Sequence, residues 1–98
     1  MRINIQIKHS LCKNNFAITK SALKKAKISI PSKTPLYKIA EDFLDMAQRY
    51  YDDALHFEEK GDRVTAFAAL NYAHGWLDSG ARLGLFDVGH DSVLFTVD

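Results

Sequence analysis

The sequence predicts an all-α chain, an antiparallel three-helix bundle with short extended segments at its two ends. Three observations carry this. Apolar residues from Leu36 to Phe57 recur at helical spacing for three heptads. A Lys60-Gly61-Asp62 turn joins that stretch to another helical pattern with almost no linker. A further apolar pattern upstream is set off by Pro31 and Pro35. At 98 residues the chain holds one domain, too little for a catalytic core with a separate cofactor domain. Its 47% hydrophobic and 26% charged residues exclude a disordered or low-complexity protein.

Residues 1–8 read as an extension in which Ile3, Ile5 and Ile7 alternate with polar residues, the period of a short strand. The bundle spans 9–86, and its first helix is expected over 9–27. Leu11, Ile18 and Ala22 lie on one stripe there, with Phe16 and Leu23 beside it. The prolines then impose a loop, with Thr34 placed to cap the next helix and Pro35 at its first position.

The second helix is expected over 36–60, about 37 Å long. Leu36, Ala40, Phe43, Ala47, Tyr50, Ala54 and Phe57 alternate spacings of four and three, the seam of helices packed at shallow angles. Leu44, Tyr51 and Leu55 widen the stripe on one side, Ile39 and Met46 on the other. So broad an arc suits a central helix with two neighbours. Gly61 is a left-handed stop and Asp62 an N-cap, so the third helix, over 63–83, folds back as a hairpin. Its seam is small: Ala66, Leu70, Ala73, Leu77, Gly80 and Gly84. Gly75 and Gly80 each cost about 1 kcal/mol relative to Ala in an exposed helix, which tight packing would offset. The tail, 87–98, repeats the alternation at Val93, Phe95 and Val97. Two terminal strands could pair, and so apolar a tail either covers the bundle or joins another subunit.

The run from Tyr72 to Phe86, YAHGWLDSGARLGLF, preceded by Tyr50-Tyr51, Asp53-Ala54 and Gly61-Asp62, resembles the archaeal family called domain of unknown function 357. The resemblance covers roughly residues 14 to 88. It implies a small three-helix bundle of archaeal origin and brings no activity, substrate or cofactor with it. The acidic turn between alanine-rich helices is also similar to a tetratricopeptide hairpin. No 34-residue repeat exists, however, and the second helix is too long for a repeat arm.

The candidate site is polar. Asn71, His74, Asp78 and Arg82 fall within one sector of the third helix, beside Gly75, and the hairpin would carry Asp53 of the second helix toward them. Such a set serves as a hydrogen-bond network fixing helix register, or as a ligand-binding or enzymatic cleft between the second and third helices. A His74–Asp78 pair is the acid/base candidate within it, but i, i+4 pairs are common by chance and no catalytic residue is assigned. An enzyme is therefore the lesser expectation. No metal ligand set is assigned, since the ligand-spacing motifs are missing, and no cofactor is expected. A single cysteine, Cys12, excludes an internal disulfide. No apolar run suits a signal peptide or a bilayer span, so a cytoplasmic protein without a membrane partner is expected.

The net charge of +1 conceals a split. Residues 1–35 hold eight Lys or Arg and no acid, whereas 36–98 hold five Lys or Arg and twelve acids. Lys20, Lys24, Lys25 and Lys27 form the basic patch. It either complements the acidic second helix, pairs with another copy, or contacts nucleic-acid phosphates. The leading expectation is a non-enzymatic interaction or assembly module that forms a homo-oligomer, a dimer before larger assemblies, or binds another protein.

Overall fold

The computed structural model describes residues 9–89 with Asp91, Leu94 and Phe95, and side chains from Lys13 onward. Its elements are α1 (His9–Lys25), β1 (Lys27–Ile28), α2 (Pro35–Glu59), α3 (Arg63–Arg82) and β2 (Phe86–Asp87). The three helices form the all-α bundle that the periodicities predict, and α2 and α3 make its closest packed pair. None of the described helices is long and apolar enough to cross a membrane.

Alanines set how near the helices come. Ala22, Ala40, Ala47, Ala54, Ala66 and Ala73 are fully buried, while the large side chains sealed inside are Leu70, Leu77 and Phe95. With a methyl group at each crossing, backbones approach closely and dispersion contacts replace the volume that larger residues would supply. Only alternate seam positions of α2 are sealed. Ala40, Ala47 and Ala54 are buried, but Leu36 is exposed and Phe43, Tyr50 and Phe57 are half-buried.

The α2–α3 turn follows its residue types. Gly61 takes φ +79, the Asp62 N–H donates to the Phe57 carbonyl at 2.9 Å, and the Asp62 carboxylate accepts from the Thr65 N–H at 3.1 Å. The far end of α3 closes likewise: Gly84 takes φ +77 and the Leu85 N–H donates to the Gly80 carbonyl at 2.9 Å. At the start of α2, Pro35 occupies the first turn as expected, but Thr34 makes no side-chain cap. Its hydroxyl donates instead to the Pro31 carbonyl at 2.8 Å, which tightens the loop.

The first helix ends earlier than expected, at Lys25 rather than 27. The Ile28-Ser29-Ile30-Pro31 run favours extended backbone, and Ile28 pairs antiparallel with Phe86 and Lys27 with Asp87. The Ser29 N–H adds a bond to the Leu85 carbonyl at 2.9 Å. This small ribbon ties the exit of α1 to the exit of α3. The strand expected over 3–7 lies outside the described residues, as does most of that expected over 93–97. Of the latter, Leu94 and Phe95 are described and form a turn and not a strand, with the Phe95 N–H donating to the Asp91 carbonyl at 3.0 Å.

The tail covers the bundle where it is described. Phe95 is sealed in the core cluster with Ala22, Leu77 and Val88. Lys25 Nζ meets Asp91 Oδ2 at 2.8 Å, so the α1 ion pair seen among the described residues runs to the tail and not to α2. Helix α1 itself lies mainly on α3.

Candidate functional site

Helix α3 turns three faces to its surroundings. Its alanine face meets α2, and the sector carrying Asn71, His74 and Asp78 turns toward α1. There these residues line a cleft of about 300 Å³ with Asn15, Ile18 and Thr19 of α1. His74 Nε2 stands 3.6 Å from Asp78 Oδ1, an ion-pair distance longer than a hydrogen bond, and each side chain is about a quarter exposed, 26%. The His74 ring also lies near-parallel to Phe95, with centroids 6.5 Å apart. Amide, hydroxyl, imidazole and carboxylate groups thus converge on one small cleft.

The expected set divides. Asn71, His74 and Asp78 come together, but with α1 across from them rather than α2. Asp53 and Arg82 are exposed and line neither this cleft nor the groove described next. The reason is rotational: the alanine face of α3 must meet α2, which turns the polar sector about a third of a turn away. Of the basic patch, Lys20 and Lys24 are exposed on α1, Lys25 pairs with Asp91, and Lys27 sits in β1 opposite Asp87.

The third face of α3, away from α1, opens on an apolar groove of about 670 Å³ that the polar residues did not signal. Phe43 of α2 and Tyr72, Trp76 and Leu83 of α3 form its walls, and Ala68, Gly75 and Ser79 leave it hollow. Phe43 and Trp76 meet edge to face at 4.9 Å, while Tyr50 and Tyr72 stack at 5.2 Å. These contacts hold the walls upright, yet Tyr72 remains 64% and Leu83 67% exposed. Tyr72, Trp76 and Leu83 recur at spacings of four and seven, a second apolar stripe beside the seam that was legible in principle.

Gly75 and Asn71 line both the groove and the cleft. A Cβ built on Gly75 would meet no atom within 4 Å, so this glycine does not serve close packing, contrary to expectation. It keeps a low saddle between the two depressions. Gly80 does serve packing, because the Phe86 ring lies against it.

On the far flank of α2, Phe16 of α1 meets Tyr51 edge to face at 5.9 Å. Burial, with the Asp52 carboxylate adding to it, pushes the Tyr51 phenol above its ordinary value of 10.0.

The model of the family described as "Protein of unknown function (DUF357)" matches residues 15–86. The chain belongs to that family. Every residue lining the DUF357 groove and cleft falls inside the matched span, whereas Asp91 and Phe95 of the tail fall beyond it. No curated protein and no solved structure matches the chain.

Proposed function

We propose that the protein is a helical assembly module that pairs with a second copy through the open face of its α2–α3 hairpin. The groove beside α3 is the observation that carries this reading. Its lining is uncharged, and Leu36, Ile39, Tyr72 and Leu83 lie exposed along the same two helices. A contiguous apolar surface of this kind is rare on a monomer and marks a site of association. The face also holds both shapes that a two-fold contact requires: projecting Tyr72 and Leu83, and the hollow over Ala68, Gly75 and Ser79. The heptad seam of α2 makes the same point. It is three repeats long, but only its alanine positions are sealed, while Leu36 is exposed and Phe43, Tyr50 and Phe57 keep part of their surface open to another partner.

Sedimentation equilibrium over a range of concentrations tests the reading. A dimer is expected, and Leu83→Glu is expected to give a monomer that keeps the helical circular dichroism of wild type, since Leu83 caps α3 with its side chain in solvent. A wild-type protein that stays monomeric at every concentration overturns the proposal.

The cleft between α1 and α3 supports a second reading, a site for a small polar ligand held by Asn71, His74 and Asp78. Its test is a shift in melting temperature with candidate ligands that His74→Ala abolishes.

A further inference from the structure

Helix α1 carries four lysines from Lys13 to Lys25 and no acidic residue in its seventeen positions. Three of the four share one stripe. At 100° per residue, Lys13, Lys20 and Lys24 fall within about 40° of one another along about 16.5 Å of helix. All three are exposed, and so are Asn14, Ala17 and Ser21 around them. The fourth, Lys25, is turned to the side and pairs with Asp91. The acidic residues of the chain are concentrated on α2, where Glu41, Asp45, Asp52 and Asp53 are exposed, and α1 packs chiefly on α3 instead. Among the described residues the lysine stripe is therefore a line of charge without an acidic partner.

We infer that this stripe binds the phosphate backbone of double-stranded nucleic acid without reading its sequence. A protein interface needs an apolar centre to anchor it, and Asn14, Ala17 and Ser21 supply none. A partner held there is held by charge, which is how a polyphosphate backbone binds. Lys20 and Lys24 stand about 6 Å apart along the axis and can engage neighbouring phosphates of one strand. The stripe also lacks an aromatic ring to stack an unpaired base, which favours a duplex over a single strand, and an arginine fork to read a base edge, so the sequence goes unread. The acidic outer face of α2 repels the same polymer, so the duplex approaches from the α1 side only. This surface is separate from the apolar groove, and its use does not depend on the proposed pairing.

Fluorescence anisotropy of a labelled mixed-sequence duplex tests the inference. Three phosphate contacts give a slope of about −2.7 in log affinity against log salt, or roughly a 40-fold loss between about 50 and 200 mM. The Lys20→Gln/Lys24→Gln variant leaves one contact and is expected to lose only about 3.5-fold over that range, from a weaker start. Its circular dichroism and melting temperature should match wild type, because both side chains are in solvent. Absence of binding at the lowest salt overturns the inference, as does a slope that the double variant leaves unchanged. Tighter binding of a single strand than of the duplex overturns it too. Salt-sensitive self-association without any duplex, lost in the same variant, would assign the stripe to the acidic α2 face of a second copy and likewise refute it.

Discussion

The ring of Phe86 lies directly over the backbone of Gly80, so that a Cβ at residue 80 would come within 2.6 Å of Cδ2 and 2.9 Å of Cζ. This contact joins the last turn of α3 to the β1–β2 ribbon, and it opposes two effects at one position. Alanine would favour the helix by about 1 kcal/mol, but the overlap with a buried ring costs roughly 1–3 kcal/mol or more. Gly80→Ala is therefore expected to lower stability. In urea denaturation the loss should shrink on a Phe86→Ala background, where the obstructing ring is gone. Equal losses on the two backgrounds would show that the ring does not set the constraint.

Gly75 should behave in the opposite way. It sits in the same helix with open space around it, so Gly75→Ala removes backbone entropy from the unfolded chain without meeting a neighbour. A gain of about 0.5–1 kcal/mol is expected, read as a rise in the urea midpoint at constant slope. The added methyl also raises the saddle between groove and cleft, so pairing should weaken while the monomer becomes more stable. A destabilised Gly75→Ala monomer would contradict the open geometry.

These two glycines show how far the sequence could be read. Both looked like packing positions, because spacing along a helix says which residues share a face but not what lies opposite. The limits of the second and third helices to within a residue, the Gly61-Asp62 hairpin and the alanine seam were legible, since each follows from local backbone preference or periodicity. The ribbon between residues 27–28 and 86–87 was not, because its pairing depends on two helix exits meeting in space. Rotation of α3 about its own axis was hidden for the same reason. It decides that Asn71, His74 and Asp78 face α1 while Asp53 stays in solvent, and it leaves Tyr72 and Trp76 as walls of a groove.

The tail should contribute far more through Phe95 than through its ion pair. Phe95 is 2% exposed among core residues, and its truncation to Ala is expected to cost about 3–5 kcal/mol. Lys25 remains 45% exposed in its pair with Asp91, so Lys25→Ala should cost only about 0–1 kcal/mol, less at high salt. Thermal denaturation of the two variants measures the difference. Comparable losses would mean that the tail is held by charge rather than by burial.

The raised phenol of Tyr51 predicts an alkaline limb in stability. Below pH 10 the tyrosine is neutral in both folded and unfolded chains and contributes nothing. As pH rises through 10.0, the unfolded chain releases its proton first, while burial and the Asp52 charge keep the folded phenol protonated. The unfolded state then binds fewer protons than the native one, so stability falls with increasing pH until the folded phenol also ionises. Tyr51→Phe removes this source of decline and keeps the ring that meets Phe16. Urea midpoints measured from neutral pH to above 10 should therefore fall less steeply in the variant. Asp52→Asn should flatten the limb only in part, because the carboxylate is the lesser of the two causes. Identical alkaline slopes in wild type and Tyr51→Phe would show that Tyr51 ionises in the folded chain as freely as in water.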